Sequence, residues 1–143
     1  MVIRFSTPDR AGKHTDSFKR QQELWRHAYA QATSLREQFP KVEEVLVTLT
    51  FVDAARIGTY SPRTYSFYPS AKAFFAVQCP RTLCLDGGFR LEEVVHKLLK
   101  GHKKNATGVL ECGGSMQPPD SPIIPCGLHM QYQVEVRYEP TRK

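Results

Sequence analysis

Between Asp16 and Phe39 the less polar positions Phe18, Trp25, Ala28, Tyr29, Ala32, Leu35 and Phe39, with Gln21 and Gln22 between them, recur every three or four residues. This is the stripe of an amphipathic helix. Thr15 or Asp16 can cap its start and Pro40 ends it, so the pattern predicts one long helix over 16–39. Its other face carries Lys19, Arg20, Arg26, His27 and Arg36 against Asp16, Glu23 and Glu37, and is net basic. From Glu43 to Asp53 the period changes to two, with Val45, Val47, Leu49 and Phe51 on one side and Leu46, Thr48, Thr50 and Val52 on the other. A run this rich in β-branched residues predicts a strand.

Ala71 to Cys79 is almost continuously apolar, the pattern of a strand buried on both faces, and Pro80 ends it. Leu91, Val94, Val95, Leu98 and Leu99 then mark a second helix that stops near Gly101. Its acids, Glu92 and Glu93, lie in the first turn, while Lys97, Lys100, Lys103 and Lys104 gather at its end, as the helix dipole favours. Thr107 to Cys112 predicts a short strand. Leu128 to Tyr138 predicts a longer one, with Leu128, Met130, Tyr132, Val134, Val136 and Tyr138 inward and His129, Gln131, Gln133, Glu135 and Arg137 outward. The expected fold is α+β: a four-stranded, mainly antiparallel sheet with two helices in the order α-β-β-α-β-β.

A chain of 143 residues, 41% hydrophobic and 24% charged, suits one globular domain rather than a disordered or membrane-embedded segment. We assign it to 16–138, with an irregular basic arm at 1–15 and a tail at 139–143. The longest strongly apolar run, Ala73 to Val77, falls far below the ~20 residues that span a bilayer. The N-terminus lacks the pattern of a secretory signal, so a cytoplasmic location is expected.

That location bears on the cysteines. In a reducing compartment Cys79, Cys84, Cys112 and Cys126 read as metal ligands before they read as disulfides. If the strands ending at Cys79 and Cys112 are joined by the 91–101 helix as a crossover, they run parallel and end at one edge of the sheet. Cys84 precedes that helix, and Cys126 begins a strand antiparallel to the one ending at Cys112. All four thiols then meet at one end of the sheet, as in a treble-clef or zinc-ribbon site dispersed over a larger domain. Glycine follows Cys112 and Cys126 directly, which lets backbone N–H groups approach a thiolate. The Cys-x4-Cys spacing falls among those of structural zinc, although the gaps of 27 and 13 residues that follow match no single signature. Structural Zn²⁺ is the preferred reading. An iron–sulfur cluster, two disulfides and reduced cysteines packed as small hydrophobes are the alternatives.

Residues 54–70 interleave Arg56, Arg63, Tyr60, Tyr65, Phe67 and Tyr68 with Ser, Thr, Gly and Pro. Aromatic faces beside guanidinium groups suit base stacking and phosphate neutralisation, and the formal charge of +6 favours a polyanion. The simpler and preferred reading is core or hairpin packing, in a long loop whose aromatics roof the core. Arg56, Tyr60, Arg63, Tyr65 and Tyr68 are the candidate contacts to RNA or single-stranded nucleic acid. The alternative is a protein-interaction or assembly subunit in which the 56–68 loop anchors a partner or a second copy. No nucleotide-binding glycine motif, His-Glu-x-x-His or Gly-x-Ser-x-Gly occurs, and a closed four-thiolate site has no open coordination position. His129, beside the proposed centre, could substitute for a thiolate or polarise a bound group, but an exposed polar position is the preferred explanation. The chain reads as a binding domain rather than an enzyme.

Overall fold

The computed structural model describes residues 16–52, 62–81, 84, 87–116 and 122–140, with side chains from Lys19 onward. Its frame is an antiparallel sheet of four strands, β1 (Val42–Val52), β2 (Arg63–Phe67), β5 (Asn105–Glu111) and β8 (His129–Tyr138), in the order β2-β1-β8-β5. β1 and β8 form its centre over a long register that includes Val45↔Val136, Val47↔Val134 and Leu49↔Tyr132. Alternation puts Val45, Val47, Leu49, Phe51, Met130, Val134 and Val136 into the core. The opposite face is polar, with Gln131, Gln133 and Glu135 exposed and Thr48 and Thr64 hydroxyls 3.2 Å apart across β1 and β2.

A second layer lies on the apolar face. It consists of β3 (Ala76–Gln78) paired antiparallel with β4 (Gly88–Arg90), and of the helix α3 (Leu91–Lys100) that follows β4 directly. Phe51 meets Phe89 at 5.5 Å between ring centroids and Phe67 meets Phe75 at 4.9 Å, which ties the layers together. α3 buries Leu91, Val95, Leu98 and Leu99. Outside this layer runs α1 (Asp16–Gln31), with Tyr29 edge-on to Phe74 at 5.8 Å and Gln22 donating to Gln78 at 3.4 Å.

Three sequence expectations change. The helix predicted over 16–39 is broken at residues 32–34, and α2 (Leu35–Gln38) is a separate turn. Ser34 has extended backbone and caps α2 by accepting from Glu37 N at 3.2 Å, while Leu35 N and Ala73 N bond across to Ala71 O and Thr33 O. Short hydroxyl side chains compete locally with helix, and here the β-bridge wins. The stretch 71–79 is not a central strand of the main sheet: only Ala76–Gln78 is strand, and its partner is β4. The run is apolar throughout because it lies between two layers, with Phe75 turned to Phe67 of the sheet and Phe74 to Tyr29 of α1. The fourth strand of the sheet is instead β2, inside the segment read as a loop, where Tyr65 and Phe67 face inward and Thr64 and Ser66 outward.

Candidate metal centre

The four cysteines meet without the parallel crossover that the sequence suggested. Each layer supplies the end of one antiparallel pair. In the ribbon, Cys79 follows β3, Gly87 precedes β4, and Cys79 N donates to Gly87 O at 3.4 Å. In the main sheet, Glu111↔His129 is the last pair of β5 and β8, and Cys112 and Cys126 lie just beyond it. Cys112 N donates to Leu128 O at 2.8 Å and Cys126 N to Gly114 O at 2.9 Å. A short ribbon of β6 (Ser115–Met116) and β7 (Ile124–Pro125) extends this end, and a β-bridge from Met116 to Cys84 joins the two layers.

All four Sγ atoms lie within 4.8 Å of one another, and all four residues are buried. The close pairs are Cys79–Cys126 at 3.7 Å and Cys84–Cys112 at 3.8 Å, each joining one layer to the other. A disulfide needs sulfurs about 2.05 Å apart, and the four cysteines are free. Four thiolates about 2.3 Å from a tetrahedral ion are separated by roughly 3.8 Å. The separations therefore fit one four-coordinate ion, and they leave no room for a cluster of several irons.

The surroundings supply what such a centre needs. Gly114 N donates to Cys112 Sγ at 3.4 Å, and Leu128 N donates to the Cys126 thiolate. The N–H donors thus belong to the residue two beyond each cysteine, not to the glycine directly after it. Gly127, at φ +67°, turns the chain so that Leu128 N can reach back. Arg81 donates to Cys126 O and lies 3.8 Å from Cys126 Sγ, bringing a permanent cation to the rim of a thiolate cluster. A Cβ at Gly87 would collide with Cys84 Sγ and Cys112 Sγ, and one at Gly114 would lie 2.7 Å from Cys84 Sγ, so two glycines pack directly on the sulfurs.

Hydrogen bonding inside the cluster splits the acidities of the thiols. Cys79 is pushed far above the ordinary thiol value, chiefly by its bond with Cys112. Cys84 is also pushed up, first by Cys112. Cys126 is pushed far down because Cys112, then Cys79 and Cys84, stabilise its thiolate. Cys112 is lowered as well: its bond with Cys126 opposes ionisation, and those from Cys79 and Cys84 outweigh it. A dication held by these four sulfurs would replace the bridging protons and offset the mutual repulsion of the thiolates.

His129 is half-buried on β8 and does not belong to the cluster. Of the residues assigned to nucleic-acid contact, Arg63, Tyr65 and Tyr68 are among the described residues. Arg56 and Tyr60 lie outside the described residues. Tyr65 is half-buried against the core opposite Val47, and burial raises its phenol's pKa. Arg63 and Tyr68 are exposed. Among the described residues no helix is long and apolar enough to cross a membrane. No family model, curated protein or solved structure matches the chain.

Proposed function

We propose that this chain is a small zinc-stabilised binding domain whose ligand is RNA or single-stranded nucleic acid. The observation that carries the first half is the buried set of four sulfurs within 4.8 Å, with two inter-layer pairs at 3.7 and 3.8 Å. Four thiolates around one ion suit Zn²⁺, and coordination closed by four protein ligands stabilises a fold rather than activating water. The same thiols favour a reducing compartment such as the cytoplasm. The nucleic-acid half is supported by the formal charge of +6 and by exposed Lys97, Lys100, Lys103 and Lys104 at the end of α3, together with exposed Arg63 and Tyr68. Polyanion binding of this kind weakens steeply with salt. A labelled single-stranded oligonucleotide should bind with an affinity that drops at least tenfold between about 50 and 200 mM salt, and a flat response removes the reading.

Tyr68, with 52% of its surface exposed, favours a second reading in which the 56–68 region anchors a protein partner or a second copy. Tyr68→Ala is the informative variant, read by size exclusion, because Tyr65 packs on the core and its removal would disturb the fold.

A further inference from the structure

Beside the cysteine centre, a cleft of about 510 Å³ opens between α1 and the corner where β4 becomes α3. Its volume is that of a small-ligand site. Trp25 of α1 forms one wall, and Phe74 and Phe89 supply apolar surface. Gln21, Glu92 and Glu93 add acceptors, and Arg90 adds a cation. Gly113, next to Cys112, completes the lining, and a Cβ there would meet nothing within 4 Å.

The walls are held in place. The tip of the Trp25 indole lies 3.0 Å from where a Cβ of Gly88 would stand, so the missing side chain lets the ring lie close to the β4 backbone. Gln22 to Gln78 and Tyr29 to Phe74 fix α1 along the ribbon. The opposite wall depends on the metal centre, since Gly113 sits between Cys112 and the Gly114 N–H that reaches its sulfur. One wall of the cleft is therefore tied to the cysteine centre, and the other is held by the contacts of α1 with the second layer.

From this geometry we infer that the cleft is a base-binding site for single-stranded nucleic acid, selecting bases that carry an exocyclic amino group. This rests on the nucleic-acid reading and gives it a location. A planar base can stack on Trp25, as bases of single strands do on aromatic side chains. Carboxylates accept from an exocyclic amino group as they do from cytosine N4, and they repel the carbonyl edge of uracil. The Glu93 side chain is exposed at the cleft and can do so. Arg90 is exposed at the same site for the adjoining phosphate, and Lys19, Arg20 and Arg26 are exposed along α1. A cationic peptide would also meet the two glutamates, but a chain of charge +6 attracts a polyanion and repels such a peptide at range.

Trp25 is the one tryptophan of the protein, so its fluorescence reports on this cleft alone. The experiment titrates zinc-loaded protein with short oligo(C), oligo(A) and oligo(U), reading Trp25 emission, while the anisotropy of a labelled oligonucleotide reports total binding. Quenching should follow binding and be roughly fivefold tighter for oligo(C) and oligo(A) than for oligo(U). Glu93→Gln, a change at an exposed position that keeps the helix, should narrow that ratio to near one. Oligonucleotide binding with unchanged Trp25 emission, or quenching without base preference, overturns the cleft assignment and leaves the nucleic-acid reading standing. Absence of binding in both channels overturns both. Quenching by an arginine-rich peptide and not by oligonucleotides overturns the assignment in favour of a protein ligand.

Discussion

At the scale of single residues, the centre is defined as much by the glycines around the sulfurs as by the sulfurs. Gly87→Ala places a methyl group against Cys84 Sγ and Cys112 Sγ, which the buried cluster has no space to absorb. The variant should lose its metal and at least about 1–3 kcal/mol of stability, the cost of overpacking, as read by metal content and thermal melting. Gly113→Ala adds its methyl to open space and should hold metal with stability within about 0.5 kcal/mol of the parent. Equal damage from both would show that the sulfurs are not packed as described. Arg81→Gln removes the cation beside Cys126 and should weaken metal affinity about 10- to 100-fold in a chelator competition, as loss of an outer partner does elsewhere. At this scale the sequence was open to reading for the cysteines, because residue type and reducing context suffice. It was closed for Gly87, Gly114 and Arg81, whose roles come from approach across layers. Arg81 lies two residues from Cys79 in sequence, yet it serves Cys126 from the other layer.

At the scale of elements, alternation and helical period located β1, α3, β5 and β8 to within a residue or two, since each buries one face only. They failed where an element is short or buried on both sides. The run at 71–79 is apolar because two layers enclose it, a condition that periodicity cannot tell from a central strand. In β2 the alternation of Tyr65 and Phe67 with Thr64 and Ser66 is present, but a short run between Pro62 and Pro69 does not separate a strand of the main sheet from a loop packed on the core. The end of α1 was also hidden in the sequence. Lys72 Nζ donates to Tyr29 O and Ala30 O, both at 2.9 Å, and stands 4.8 Å over the Tyr29 ring, so a residue far along the chain caps this helix. Lys72→Met should destabilise the protein by about 1–2 kcal/mol and speed amide exchange in the last turn of α1. Unchanged exchange there would mean that the cap contributes nothing.

At the scale of the whole molecule, the cysteine centre fastens a sheet to the layer beneath it. Cys112 and Cys126 come from the end of β5 and β8, and Cys79 and Cys84 from the end of the β3–β4 ribbon, so one ion would join chain segments far apart in sequence. Structural zinc contributes about 10–16 kcal/mol of apparent binding energy at neutral pH, comparable to the stability of an entire domain. Removing it should therefore loosen the layers and open the cleft beside Gly113. The effect must also depend on pH in a defined direction. Cys79 and Cys84 hold their protons more tightly than ordinary thiols, and the ion has to displace them. Metal affinity, and the stability linked to it, should fall as pH falls, so acidification at fixed total zinc should release metal before the metal-free chain unfolds. Release that is independent of pH would contradict thiolate ligation.

The central claim is that four thiols from two layers hold one zinc ion that the fold requires. Its most direct test is native mass spectrometry of protein purified without chelator, before and after chelation, with thermal unfolding followed on both samples. The account predicts one zinc per chain, four alkylatable thiols after denaturation, and a melting transition that drops sharply or vanishes when the metal is stripped. A metal-free chain whose melting is indifferent to chelator would contradict it.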